Sequence, residues 1–242
     1  MAVPRIINMW AGPRNISTTL MYSFAQRLDT KVVDEPLYAH YLHHTGLDHP
    51  GREETLNAYS NDGQAIMEGF LQREEEKPLL FLKNMGQHYV ELNSDGFMAG
   101  MDHIFLIRRP DQVVASFSKV IRHPQLADIA IAKQCMLFDM VKKLGKKTLV
   151  LDGNEVLKNP KKVLDEMCQR LGIPFQGNML QWEAGVRPED GTWAPYWYHN
   201  VHQSTGFKPW APKKVMVHED LRPLVEEAMP FYERMFKEAI KA

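Results

Sequence analysis

Residues 5–24 read RIINMWAGPRNISTTLMYSF, and the fold follows from how this stretch is parsed. Residues 6–11 are apolar over a length that suits a buried parallel strand. Gly12 and Pro13 end the run, and Ser17, Thr18 and Thr19 open a segment, 20–27, with the pattern of a helix. Strand, turn and helix start together leave free backbone N–H groups and the positive end of a helix dipole around an anion. Against the phosphate-loop template G-x-x-x-x-G-K-[ST], Gly12 takes the first glycine and Thr19 the hydroxyl, whereas Ser17 and Thr18 replace the second glycine and the lysine. The stretch reads better as an anion cradle with Arg14 beside it than as a nucleoside triphosphate loop.

With 242 residues, 44% of them hydrophobic, the chain is long enough to bury a full core, and we expect a single domain over 1–242. Lys and Arg number 29 against 30 Asp and Glu, a balance that argues against a nucleic-acid binder. Cys135 and Cys168 form no C-x-x-C pair and read as reduced core thiols. Pro4, Arg5 and Asn8 interrupt any signal-peptide pattern, and no apolar run approaches the roughly 20 residues of a membrane span. The expectation is a soluble, cytoplasmic protein without membrane contact.

Further along, residues 31–35 form a second short strand whose end is acidic, Asp34 and Glu35, before Pro36. In an open parallel sheet, ligands lie beyond the carboxyl ends of the strands, so Glu35 can share a crevice with Arg14 and Ser17. A helix over 37–44 carries His40, His43 and His44, but no partner at a known metal spacing completes them, and no metal is expected. Residues 48–62 read as a loop with one helical turn, 63–76 as a helix ending in a solvated run of Glu74, Glu75 and Glu76. A third strand over 78–83 ends in Lys83 and passes into a loop, 83–88, that contains His88.

The fourth strand, 103–107, ends in Arg108 and Arg109, with Pro110 suited to the first turn of the helix that follows and Ser116 within that helix. Arginine forks at a helix start suit a second phosphate. A long helix over 125–147, a fifth strand over 148–152 and a helix over 160–170, closed by Gly172 and Pro174, complete an α/β alternation with a parallel sheet. Residues 182–212 are irregular and aromatic-rich. They read either as a lid or acceptor-pocket loop or as packing for a loop that wraps the sheet. A terminal helix over 219–241 is interrupted near Pro223 and Pro230.

Taken together, the motifs resemble the sulfotransferase family, whose members transfer a sulfuryl group from 3′-phosphoadenosine 5′-phosphosulfate to a hydroxyl or amine. Residues 12–19 look like the family's 5′-phosphosulfate loop, P-[KR]-x-G-[ST]-T. Arg108 and, eight residues on, Ser116 are similar to its 3′-phosphate motif. Residues 149–174 look like its strand-loop-helix segment ending F-L-G-[IL]-P. The loop is one residue longer than the family form, which leaves Arg14 and Asn15 both standing near the place of the catalytic lysine. The catalytic His that follows a Lys by two residues in cytosolic members is replaced here by Met85. Glu35 fits the place of the catalytic Glu of carbohydrate-acting relatives. The later R-K-G-x-x-G element is faintly echoed by residues 204–210.

The resemblance implies a P-loop-type sheet flanked by helices. It also implies a donor site of Gly12, Pro13, Arg14, Asn15, Ile16, Ser17, Thr18, Thr19, Arg108 and Ser116. The catalytic candidates are Arg14, Glu35 as general base, Lys83 toward the sulfuryl oxygens and His88 as the reserve base. The partner is a small-molecule acceptor. Two other readings stay open: a small-molecule kinase, which lacks its loop lysine here, and a domain that binds a nucleotide without turning it over.

Overall fold

A computed structural model describes residues 2–93, 95–212 and 215–242. Six strands, β1 (Arg5–Ala11), β2 (Thr30–Asp34), β3 (Leu79–Met85), β4 (Asp102–Ile107), β5 (Thr148–Asp152) and β6 (Ala239–Ile240), form one parallel sheet in the order β2-β3-β1-β4-β5-β6. Their near-continuous apolar composition follows from burial on both faces. On one face Ile7, Met9 and Ala11 of β1 meet Leu20, Met21 and Phe24 of α1 (Ser17–Ala25) and Val163, Leu164 and Met167 of α9 (Pro160–Leu171).

On the other face Ile6 and Trp10 join a second cluster. Its helices are α4 (Gly63–Gln72), α5 (Asp95–Ala99), α6 (Pro110–Phe117), α7 (Ile131–Lys143) and α12 (Arg222–Phe236). A third cluster packs α2 (Tyr38–Thr45) and its follower α3 (Arg52–Ala58) against α10 (Ala194–Trp197) and the stretch leading into α11 (His199–His202). The short α8 (Gly153–Lys158) follows β5 directly, its start capped by the Asp152 carboxylate.

The helix after β1 and the helix after β4 thus lie on opposite faces, although the two strands are neighbours. Their connections part at that point, and the crevice above it is where open α/β sheets hold ligands. Gln134 of α7 bridges the fork, its Nε2 donating to the Trp10 and Leu106 carbonyls, both at 2.9 Å.

Several sequence expectations need correction. Lys83, Asn84 and Met85 belong to β3, not to a loop, since this strand is central and Asn84 donates across the face to Asn8 Oδ1 at 2.8 Å. Only Gly86–His88 turns, as a 3-10 segment. The helix expected from residue 125 starts at Ile131, because Ala130 takes a left-handed φ of 61°. Residues 48–62 hold the seven-residue α3 rather than a single turn. The helix expected to reach Glu76 stops at Gln72, and Glu75 is buried, receiving Lys31 and Arg73 instead of facing solvent. The terminal helix is shorter than expected, and Ala239 and Ile240 pair with β5.

Candidate active site

The crevice is a pocket of about 360 Å³. Pro13, Arg14, Asn15, Ile16, Ser17, Thr18, Thr19, Glu35, Lys83, His88, Arg108 and Ser116 all border it, so the structure brings together twelve of the thirteen expected site residues. The exception is Gly12. It lies under the loop beside a small separate crevice, where an added Cβ would stand 3.0 Å from the Ile129 carbonyl. Its part is to let the turn before α7 pass closely over the loop.

At the centre of the pocket, α1 begins without a side-chain cap: Ile16 is the N-cap residue. The first N–H groups of the helix are thus open toward the crevice, which suits an anion. Arg14, at φ 55°, points its Nε to Ser116 Oγ at 3.1 Å, and its carbonyl accepts from Arg108 Nη1 at 2.5 Å. Asn15 is used differently. Its amide donates to the Leu106 carbonyl at 3.1 Å, and its Oδ1 accepts from the Ile16 N–H at 2.9 Å. Of the two candidates for the lysine place, Arg14 therefore carries the charge and Asn15 braces the loop. Burial lowers the Arg108 pKa, with Asp152 pulling it up and Arg14 adding to the fall. Arg109 turns away to a two-pronged pair with Asp111 at 3.0 and 3.1 Å.

On the β2 and β3 side the strand register sets Asp34 opposite Lys83. Glu35 extends the pairing by one N–H, to the Lys83 carbonyl at 2.8 Å, and then turns at φ 39°. The Lys83 ammonium commits all three protons there, to Asp34 Oδ1 at 2.8 Å, Glu35 Oε1 at 2.6 Å and the Tyr198 hydroxyl at 2.5 Å. Tyr198 also accepts from Trp193 Nε1 at 3.1 Å and donates to Asp34 Oδ2 at 2.8 Å. Burial pushes the Asp34 carboxyl up to about 6 against the pull of Lys83. Burial works equally against the Lys83 cation, but Asp34 and Glu35 outweigh it and its pKa is raised.

Glu35 Oε2 is left facing the pocket, 3.9 Å from His88 Nδ1. The His88 ring is stacked between Tyr38 and Tyr41, with centroids at 4.9 and 4.7 Å. Burial holds His88 well below the ordinary histidine value, so it is neutral, and its Nδ1 has no hydrogen-bond partner.

Sequence reasoning missed Tyr198 and the buried role of Asp34. Residues 182–212 supply pocket walls, with Trp193, Trp197 and Tyr198 bordering the crevice, and packing as well, with Trp182 buried against Tyr22. Asp190 pins this segment, accepting from the Tyr22 hydroxyl at 2.7 Å and pairing with His202 at 2.9 Å. Only the aromatic density of the segment hinted at a pocket role. The His40, His43 and His44 rings stay adjacent, His44 lying 4.2 Å from His40 and 5.4 Å from His43 by ring centroids, but His40 binds the Asn61 and Val90 carbonyls and His44 meets Glu91. Among the described residues no helix is long and apolar enough to cross a membrane.

A sulfotransferase-domain family model matches residues 5–239, and the chain belongs to that family. It is 38% identical over 237 residues to an Arabidopsis thaliana protein named branched-chain-amino-acid aminotransferase-like protein 1, covering 96% of this chain and 42% of that one. A second, similarly named Arabidopsis protein matches at 38% over 234 residues, covering 94% and 40%. The chain thus spans about two fifths of the length of these curated relatives. Among solved structures it is similar to the sulfotransferase domain of the Synechococcus PCC 7002 olefin synthase, with TM-score 0.57 and 18% identity over 94% of this chain and 95% of that one. It is also similar to a sulfotransferase from Alicyclobacillus acidocaldarius, with TM-score 0.53 and 11% identity over 99% and 98%. At such identities the likeness shows the fold, a parallel sheet flanked by helices.

Proposed function

We propose that this sulfotransferase-family chain transfers a sulfuryl group from 3′-phosphoadenosine 5′-phosphosulfate to a hydroxyl or amine of a small acceptor, in the cytoplasm. The observation that carries the reading is the order of groups along one sheet edge. An uncapped helix start with Arg14 lies at the centre, Arg108 and Ser116 to one side, and a carboxylate with one free oxygen to the other.

In this reading the N–H groups and hydroxyls of Ser17, Thr18 and Thr19 hold the 5′-phosphate, and Arg108 and Ser116 hold the 3′-phosphate. The acceptor oxygen or nitrogen forms its bond to sulfur as the bond from sulfur to the bridging phosphate oxygen breaks. Arg14 neutralises the charge gathering on that leaving oxygen. The acceptor's proton passes to Glu35 Oε2, the oxygen Lys83 leaves free, and the products are the sulfated acceptor and 3′-phosphoadenosine 5′-phosphate. Lys83 acts by fixing Glu35, since its three protons are held within the cluster. The paired aromatic rings hold neutral His88 behind Glu35 as the reserve base.

Thermal stability with 3′-phosphoadenosine 5′-phosphate, against ATP–magnesium and adenosine 5′-phosphate, tests the donor half without an acceptor. A rise with the bisphosphate alone, lost in Arg108→Ala, is the expected result. A rise with ATP–magnesium alone would replace the proposal with a kinase.

A further inference from the structure

Resting on that donor assignment, the charge along the same sheet edge says what the second substrate is. The strand order places β2 and β3 at one end of the crevice and β4 and β5 at the other. Among the described residues bordering the pocket, the cations are Arg14, Lys83, Arg108 and Lys208. Arg14 and Arg108 are joined to each other at the β1 and β4 strand ends. Lys208 lies two residues before Trp210, whose ring meets Lys158 of α8 at 5.3 Å, and so sits on the β5 side. Lys83 alone belongs to the opposite side, and its three protons are committed. With two carboxylates against one ammonium, the Asp34, Glu35 and Lys83 cluster leaves one negative charge in excess there once Asp34 is ionised.

The walls beyond Glu35 reinforce this sign. His49, hydrogen-bonded by its Nδ1 to the Tyr38 hydroxyl at 2.9 Å, borders the pocket. Burial lowers its pKa, and the charges acting on it are Asp128, Glu35 and Asp48, all carboxylates. The Arg52 guanidinium, on the helix just after His49, is taken up by Glu53. Buried polar atoms there also lack a partner: Gln87 Oε1 and His88 Nδ1, the latter an acceptor in the tautomer protonated at Nε2 and 3.9 Å from Glu35 Oε2. Tyr38, Trp193 and Trp197 supply aromatic rings to the same walls, and such rings attract a cation.

We propose that the acceptor is a cation, a small compound whose transferable hydroxyl or amine lies near a protonated amino group, and that a carboxylate in that place is rejected. An ammonium offers several protons to Glu35 Oε2, Gln87 Oε1 and His88 Nδ1 and gains from the negative field. A carboxylate has no proton for them and, among the described walls on the β2 and β3 side, meets no cation but the committed Lys83.

The test uses the full chain saturated with 3′-phosphoadenosine 5′-phosphate and follows melting temperature against compounds matched in skeleton and differing in charge. One set is tyramine, 4-ethylphenol and 4-hydroxyphenylacetate; the other is 3-aminopropan-1-ol, propane-1,3-diol and 3-hydroxypropanoate. The expected result is a dissociation constant for each cation about tenfold or more below that of its anion. That ratio should narrow when Asp48 and Asp128 are both changed to Asn, and narrow again in high salt. Anions that bind as well as the cations overturn the proposal. So does a bisphosphate complex on which no compound acts at millimolar concentration, an outcome that leaves the donor reading intact. Absence of any shift with the bisphosphate itself removes the donor reading and the proposal with it.

Discussion

Replacing Lys83 by Met keeps the length of the side chain and removes the one cation between Asp34 and Glu35. The side chains of Lys83 and Asp34 are each 1% exposed and that of Glu35 is 11% exposed, so water cannot take over the role. Breaking a buried ion pair from one side costs about 3–5 kcal/mol, because the remaining charge is left uncompensated. The cost depends on pH with a definite sign. Asp34 is already raised to about 6 while Lys83 pulls it down, and without Lys83 it rises further.

A carboxyl raised in the folded state binds its proton there more readily than in the unfolded chain. Its contribution is therefore present below the unfolded value near 4 and is lost as pH rises through the folded value. Every further tenfold tightening of proton binding in the folded state widens the gap by about 1.4 kcal/mol above that window. Urea midpoints at about pH 8 and about pH 4.5, with the slope checked for constancy, should show the Lys83→Met penalty largest at the higher pH and mostly gone at the lower. A penalty equal at both values, or below about 1 kcal/mol at the higher, would refute the charge-compensation account.

Other consequences can be checked separately. Burial lowers His103 to about 4, so it contributes on the order of 3 kcal/mol above pH ~6.5 that is lost as pH falls toward the folded value. His103→Gln should flatten that acid limb in a stability profile. A Cβ on Gly153 would stand 2.7 Å from Asn15 Oδ1. Gly153→Ala should therefore displace the loop brace, destabilise by about 1–3 kcal/mol and weaken bisphosphate binding more than it changes far-ultraviolet circular dichroism. Asp190→Ala strips the Tyr22 hydroxyl and His202 of their partner. Proteolysis around exposed Val186 should then quicken while the sheet stays protected from hydrogen exchange. Glu35→Gln should preserve bisphosphate binding while reducing turnover of the acceptor by about 100-fold or more.

How much of this is legible in sequence depends on the range over which each signal acts. Strands β1, β2, β4 and β5 show as short apolar runs closed by Gly, Pro or charge, and the donor loop shows because strand, turn and helix start are contiguous. The last residues of β3 do not, since Lys83 and Asn84 are polar residues buried in a central strand and make sense only with Asp34 and Asn8 beside them. Two-residue β6 carries no pattern of its own and exists because β5 offers it an edge. Glu35 and His88 stand out from their places after strand ends, and Lys83 as the charge that closes the apolar run of residues 79–82. Tyr198, 163 residues beyond Glu35 in sequence, does not: its segment has no periodicity, and its contacts are decided by Asp190 docking on Tyr22 and His202.

The backbone at Arg14 and Glu35 stores strain at the crevice. Both sit at positive φ, 55° and 39°, where a non-glycine residue costs on the order of 1 kcal/mol that glycine would return. Glycine or asparagine would relax the backbone at either position, but at Glu35 it would also strip the buried Lys83 ammonium of a partner. The chain holds a long cation at one and a carboxylate at the other, both on the crevice. On the proposed reading, Arg14→Gly should raise the melting temperature while abolishing transfer, whereas Glu35→Gly should abolish transfer and lower the melting temperature, because the lost partner of the buried Lys83 ammonium outweighs the relieved backbone strain.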